Sequence, residues 1–423
     1  MAITTIQNPD TYAPVYNPMW FVVSSNLTSQ PNFEYICDVY ITGVTFAGGS
    51  TYLRLKCPAD PTYGRGVFNI APILERELTS DIGNTIYGFQ QCTNSILQYT
   101  VQFGELYGLS SGVTAYPNLN SANGLAFIGG LQAIEFKDYT VNNYVVAGIG
   151  TNRTVNLLSN APSSGTIRTS ENQWIYMMSQ TSGAIKYANI LIYDANGLIN
   201  AVRIINHQYH NTSTIANNML RFPAGYNVDS ISESDRVYRT SSNVDYPLLL
   251  GDSSVTKMEI YFTDTNYNKI TASYWTFKST PCTDHTVYRL HFKNKYGGFD
   301  SFSFIRASQK SSDIKRNKFE KVMGNFKSAS SYTYNKTDRF ETNIYTEYKH
   351  TIKLNSDWIN QNQSVWLEEL LTSPEIYHDD ATHGLLPVNI TDTKYIQRQH
   401  KTDKLFNLSI DIQYTFNERR QGA

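Results

Sequence analysis

Along much of this chain apolar and polar residues alternate at every second position, the pattern of a strand with one face in a core and the other in solvent. The run near the C-terminus is the longest. In "LFNLSIDIQYTF" the residues Phe406, Leu408, Ile410, Ile412, Tyr414 and Phe416 fall on one face. Asn407, Ser409, Asp411, Gln413 and Thr415 fall on the other. Near the N-terminus, "NFEYICDVYI" sets Phe33, Tyr35, Cys37, Val39 and Ile41 against Asn32, Glu34, Ile36, Asp38 and Tyr40. "TYLRLKC" repeats the pattern on a smaller scale, with "FAGGS" as the turn between, and "SILQYTVQFGELYG" predicts a further strand. Residues 108 to 125, rich in Ser, Gly and Asn, predict a loop after it.

From near residue 155 the predicted strands shorten and turns recur, as in "NQWIYMMSQ", "KYANILIYDANGLINAVRI", "VTKMEIYFTD" and "ASYWTFKS". Asp194-Ala195-Asn196-Gly197 predicts a hairpin turn, because Asn and Gly tolerate positive φ. Short strands at this spacing predict a β-sandwich. The polar stretch from residue 206 to 255 predicts long surface loops.

Helical periodicity occurs twice. Asn69 is placed to cap a short helix with Pro72 in its first turn and Ile73, Leu74 and Leu78 on one face. In "SDWINQNQSVWLEELLTSP" Ser356 is the predicted cap and Pro374 the stop. Trp358, Ile359, Trp366, Leu367, Leu370 and Leu371 form an apolar stripe, so a helix over 358–371 is expected to be the longest and to pack on the C-terminal sheet. At 423 residues the chain exceeds one ordinary core. The expected fold is mainly β, a multi-domain β-sandwich-like architecture with one prominent amphipathic helix in the C-terminal domain. The expected domains are 1–155, β-rich with a short helix; 156–280, a middle β-sandwich; and 281–423, a C-terminal α+β domain.

One stretch, "YRLHFKNKYGGFDSFSFI" from Tyr288 to Ile305, admits two readings. A phosphate cradle needs a strand, then inward-turned glycine amides, then a helix. Val287, Arg289, His291 and Lys293 alternate with Tyr288, Leu290 and Phe292, which supplies the strand. After Gly297-Gly298, however, Phe302 and Phe304 alternate with small polar residues, which predicts a second strand and not a helix. The Gly-Gly step is therefore a hairpin turn.

Composition narrows the function. Lys and Arg total 35 against 36 Asp and Glu, a formal net charge of −1, which argues against a partner held by a general basic field. Charged residues are 17% and Tyr alone numbers 31, a mixture that suits broad uncharged contact surfaces as well as a Tyr-rich core. The N-terminus lacks a basic segment followed by an apolar run, so no secretory signal is expected. No stretch approaches the roughly 20 apolar residues of a membrane span. Cys37, Cys57, Cys92 and Cys282 lack paired spacing, which predicts free thiols and assembly in a reducing cytosol.

Candidate chemistry is sparse. "YHDDATHG" gathers His378, Asp379, Asp380 and His383, plausible ligands that a polar connecting loop explains equally well. His207 and His210 stand in a polar loop without a carboxylate nearby in sequence. Glu368 and Glu369 are adjacent, so on a helix they diverge by about 100° and cannot act as an acid/base pair with each other. No nucleophile elbow, zinc-protease motif or Cys/His signature is present. No catalytic, cofactor-binding or metal residues, and no cofactor, are expected. "KSSDIKRNKFEK" is the basic cluster; it reads as an exposed edge or loop, or as a contact with an acidic neighbouring subunit or with DNA.

Several segments together resemble a known family. "YNPMWFVVSSN", "NFEYICDVYI", "GRGVFNIAPIL" and "VQFGELYG" in the first third carry the resemblance, with "YRLHFKNKYGGFDSFSF", "LNSDWINQNQSVWLEELLTSPEIY", "PVNITDTKY" and "KLFNLSIDIQYTFNERRQ" in the last. They are similar to virion structural proteins of tailed phages of Bacteroidetes hosts, the crAss-like podophages among them. The resemblance implies a non-enzymatic tail or connector-region subunit, a tail ring or hub or a distal-tail-like adaptor. Such a subunit assembles with itself into a symmetric homo-oligomeric ring and meets neighbouring tail or connector proteins. Genomic DNA would pass through the assembly without sequence-specific binding, and the chain would reside in the virion tail after synthesis in the host bacterial cytoplasm. The alternative class is a carbohydrate-binding or carbohydrate-cleaving tail fibre protein, since Tyr, Trp and Asn also line glycan grooves.

Overall fold

The computed structural model describes residues 3–82, 88–109, 112–146, 154–168, 171–180, 184–207, 219–231, 236–238, 250, 253–279, 285–391, 405–416 and 418–421. The fold is mainly β, as the alternation predicts, with several sheets and few, short helices among the described residues. The chain divides into two compact units: Met1–Pro281 with Lys293–Asp300, and Cys282–Phe292 with Ser301–Ala423.

The first unit holds two cores. The first lies between a five-stranded sheet and a three-stranded one (Thr4–Gln7, Trp20–Ser24 and Arg65–Asn69). Glu34–Ile41 turns Tyr35, Cys37, Val39 and Ile41 inward, and each is buried. From the facing sheet, the rings of Phe21 and Phe68 lie 5.4 and 6.2 Å from that of Phe103. Burial pushes the Cys37 thiol up to about 12. Asn69 Oδ1 accepts from the Met19 and Ala71 amides at 3.0 and 3.2 Å, anchoring the start of helix Ala71–Glu75 with Pro72 in its first turn. Leu74 and Leu78 are buried beneath that helix and the turn that follows it, as the spacing predicts.

The expected loop at 108–125 is instead mostly strand. Ile96–Leu109 and Gly112–Phe127 pair antiparallel from Ile96↔Phe127 to Leu109↔Gly112, with a register shift between Phe103 and Glu105. Gly104 sits at the shift, where a Cβ would collide with the Tyr116 carbonyl and Pro117. Ser, Gly and Asn disfavour strands, but the partner strand supplies the backbone hydrogen bonds whatever the side chain. Asn120 Nδ2 also donates to Ile3 O at 3.3 Å and Thr5 Oγ1 at 3.1 Å, which ties in the N-terminal strand.

The second core lies between a six-stranded sheet and a four-stranded one. Ile190, Ile192, Ile260 and Phe262 face Ile175, Met177, Leu220 and Phe222, with Phe222 and Phe262 edge to face at 5.5 Å. The Asp194 turn joins Tyr187–Tyr193 to Leu198–Ile205, its Oδ1 accepting from the Asn196 and Gly197 amides at 2.7 and 2.8 Å. Two features depart from expectation. Gln90–Gln91 pairs with Met219–Pro223, so the first third of the chain lends a strand to this sandwich. Met219–Pro223 itself lies wholly buried within the stretch expected to be surface loop. Residues 208–218 and 239–249 of that stretch lie outside the described residues.

The second unit centres on an eight-stranded sheet ordered Phe299–Phe304, Tyr288–Lys293, Ile376–Asp380, Gly384–Ile390, Ser409–Tyr414, Glu341–Asn355 and Gln309–Glu320, with Glu418–Gln421 also pairing with Glu341–Asn355. Leu408, Ile410 and Ile412 are buried as predicted, whereas Tyr414 is half-buried and Phe416 exposed. The helix begins later than expected. Asn360, not Ser356, caps it, accepting from the Gln363 amide at 2.8 Å while the Gln363 side chain returns to the Asn360 amide at 3.0 Å. Gln361–Trp366 and Glu368–Thr372 follow, joined at Leu367. Ser356 instead binds the Leu408 amide at 2.8 Å, and Trp358 is exposed, outside the stripe. Trp366 packs on the sheet through Phe292 and Phe302, with centroids at 5.6 and 6.1 Å.

Candidate functional site

Gly297-Gly298 forms a hairpin turn between two strands. The Asn294 amide donates to Gly298 O at 2.8 Å, and Gly297 adopts φ 82°. The turn residues group with the first unit. Asn294 Nδ2 donates to Leu158 O at 2.9 Å and Asp300 Oδ1 at 3.1 Å, Ser159 Oγ donates to Asp300 Oδ1 at 2.7 Å, and Lys295 pairs with Glu135 at 2.6 Å. The Tyr296 and Gly298 amides donate to Asn294 Oδ1 at 3.0 and 3.1 Å and the Gly297 amide to Asn294 O at 3.0 Å, so these amides do not open onto an anion site.

The "YHDDATHG" segment forms a strand and a tight turn, not a connecting loop. Neighbours along a strand point to opposite faces, which separates His378 from Asp379. His378 Nδ1 lies 3.0 Å from Tyr414 Oη, and its ring lies 5.1 Å from that of Tyr288. Burial holds its pKa below the usual value. Asp380 Oδ1 accepts from the Thr382 and His383 amides and lies 2.9 Å from His383 Nδ1. Those bonds, led by the His383 amide, hold the Asp380 carboxyl below its usual range. Among the described residues no three His, Cys, Asp or Glu side chains converge as a metal site. His207 is exposed, and His210 lies outside the described residues.

Three adjacent strands bring together residues that sequence spacing does not link. His291 Nδ1 lies 2.6 Å from Ser301 Oγ, and its Nε2 lies 3.3 Å from Asp379 Oδ2. Arg289 Nη1 donates to Ser303 Oγ at 2.9 Å on the same face. The row holds the atoms of a Ser-His-Asp relay, but His291 has no exposed surface and Ser301 very little. A nucleophile must meet its substrate, so the arrangement acts as a buried polar network that fixes the strands to one another. The alternating polar positions of Tyr288–Lys293 predicted a solvent face; Arg289 and His291 are instead buried and hydrogen-bonded. No local sequence signal marks this.

The surface that stands out is a two-stranded ribbon. Gln309–Glu320 pairs with Glu341–Asn355 from Gln309↔Lys353 to Glu320↔Glu341, and Gln309–Glu320 forms the sheet edge. Both its faces are exposed along nearly its whole length, which places the "KSSDIKRNKFEK" run on an exposed edge. Beyond Glu320 a small hairpin, Asn325–Ser328 with Ser331–Thr333, forms the tip. Tyr332 Oη braces it by donating to Met323 O and Gly324 O at 2.9 and 3.1 Å. Large apolar side chains crowd this tip in the open. Val322 is 87% exposed and Phe326 75%, and Met323, Tyr334 and Phe340 are exposed beside them. Lys318 pairs with Glu341 at the base of the tip.

A second surface is aromatic. On the outer face of the six-stranded sheet the Tyr193 and Trp275 rings lie 5.7 Å apart, and Arg203 lies over Tyr267 at 4.1 Å. Lys257 Nζ lies 5.0 Å from both the Tyr193 and Trp275 centroids.

No helix among the described residues is long and apolar enough to cross a membrane. No protein-family model and no curated relative matches the chain. Among solved structures, a trypsin-activated alpha-2-macroglobulin from Escherichia coli aligns at 10% identity and a TM-score of 0.18 over 97% of this chain. The alignment spans 21% of that protein's length, and at this score it carries no argument about fold or function.

Proposed function

We propose that this chain is a non-enzymatic structural subunit of a tailed-phage virion, a tail ring or hub component or a distal-tail-like adaptor that assembles as a symmetric homo-oligomer. The exposed ribbon tip carries the reading. Soluble monomers scatter apolar side chains singly and seldom gather them on a projection. An isolated two-stranded hairpin is marginal in water, so a surface that receives the tip supplies the burial it lacks. The sequence resemblance of both ends of the chain supports a phage tail as the setting. Neighbouring tail or connector proteins are the further partners, and genomic DNA passes through without sequence-specific contacts.

The aromatic face of the six-stranded sheet favours the rival class, a glycan-binding tail protein. Sugar rings stack on bare aromatic faces, but Lys257 already lies against both Tyr193 and Trp275. The assembly reading is therefore preferred. Native mass spectrometry and class-averaged images of the purified full chain test it. A closed particle with rotational symmetry is expected; a stable monomer that binds host polysaccharide would defeat the reading.

A further inference from the structure

Resting on that assembly reading, we propose that the contact is head to tail: the ribbon tip of one copy docks on the acidic body of a second copy of this chain. The tip has two chemical properties, apolar exposure and positive charge. Residues 321–340 carry Lys321, Lys327, Lys336 and Arg339 against the single carboxylate of Asp338. Residues 309–350 as a whole hold nine Lys and Arg and five Asp and Glu, four net positive charges. The chain totals −1, so the residues outside 309–350 carry a net −5. The ribbon is thus drawn to the body of another copy and repelled by a second ribbon.

Edge geometry points the same way. Among the described residues Gln309–Glu320 ends the sheet and presents a long free edge, the natural template for symmetric strand pairing between two copies. Lys310, Lys315, Arg316 and Lys318 on that strand outnumber Asp313 and Glu320, and basic residues on an edge are a common device against such pairing. With edge-to-edge pairing opposed, the apolar tip is the element left to make contact, and it meets a different surface on its neighbour. A contact between unlike surfaces repeats around a ring when its rotation closes. Duplex DNA suits the tip less well, because Phe326 and Val322 gain nothing from a phosphate backbone and Lys318 is already paired with Glu341.

The test uses three forms of the full chain: wild type, Val322→Asp with Phe326→Asp, and a tipless form with residues 321–340 replaced by Asn-Gly, a turn suited to the facing pair Glu320↔Glu341. Both substituted side chains are solvent-exposed, so folding should be unchanged by circular dichroism. Sedimentation velocity should show concentration-dependent assembly of wild type and a dissociation constant raised about tenfold or more in the double variant. Tipless chains should not associate with each other, yet should cap wild-type chains, because they keep the receiving surface. Assembly of tipless chains as well as wild type would overturn the tip contact and leave the ring reading standing. Failure of tipless chains to cap wild type would overturn the head-to-tail geometry. A wild type that stays monomeric would overturn both the contact and the assembly reading. Salt-dependent binding of random duplex DNA, abolished by Arg316→Glu without self-association, would replace the protein partner with nucleic acid.

Discussion

Arg54 and Asp38 face each other across neighbouring strands and close a two-pronged ion pair, Nε to Oδ1 and Nη2 to Oδ2, each at 2.7 Å. The carboxylate is 2% exposed although it lies on the sheet face opposite the first core. The Arg54 guanidinium also lies 5.4 Å from the Tyr52 centroid, and Tyr52 packs on Tyr40 at 5.3 Å. A small polar and aromatic clip thus seals the outer face of the sheet.

Arg54→Ala would leave the Asp38 carboxylate buried without its partner. Removing one member of a buried pair typically costs about 3 kcal/mol or more, and the partial exposure of Arg54 places the loss near the lower end. Denaturant unfolding should show a lower midpoint at unchanged slope. An unchanged midpoint would mean that water reaches Asp38 freely.

Gly297→Ala puts a Cβ at φ 82° and into the Ile128 carbonyl. Backbone strain and collision together should cost about 2 kcal/mol. Gly43, also at positive φ but with open space around it, is the control, and its alanine variant should lose less. Equal losses at the two positions would show that the close approach to Ile128 does not matter.

Ile410→Asp introduces a charge on the buried face of Ser409–Tyr414, where Ile410 lies opposite Leu354. An unpaired charge in a core should cost about 4 kcal/mol. Phe416→Asp, at an exposed position two residues past the strand, should be nearly neutral. Thermal melts that rank the two variants the other way would reverse the assignment of faces.

Acid should weaken the second unit through His378. Burial lowers the folded-state pKa of His378 below the ordinary 6.5, so at mildly acidic pH the unfolded chain binds more protons than the folded one. Stability is fully present above pH 6.5 and falls as the pH drops from there toward the folded-state value. The carboxyl of Asp380, held below 3.8 in the folded state, adds its own loss only at still lower pH. Urea midpoints between pH 7.5 and 5 should decline, and His378→Gln, which cannot charge, should flatten the decline.

The sequence by itself determined what is local. Period-2 alternation placed the core-facing residues Tyr35, Cys37, Val39 and Ile41 of Glu34–Ile41, though Ile36 and Asp38 on its other face are buried too, and Leu408, Ile410 and Ile412 of the C-terminal strand, because side-chain direction along a strand is fixed by its pleat. Turn chemistry placed the Asp194 and Gly297 turns, because their backbone angles suit few residues. Tertiary structure decided what depends on a distant partner. Gly112–Phe127 is a strand in spite of its Ser, Gly and Asn because Ile96–Leu109 lies beside it, and Gln90–Gln91 joins a sandwich built from residues far along the chain. Asn360 displaced Ser356 as the helix cap because Ser356 is held by Leu408. Arg289 and His291 read as a solvent face, yet Ser303, Ser301 and Asp379 on neighbouring strands satisfy them in the interior. The ribbon follows the same rule. Its basic residues are visible in sequence, but only the sheet order sets Gln309–Glu320 at an edge, because strand pairing is a contact between residues that sequence order does not relate.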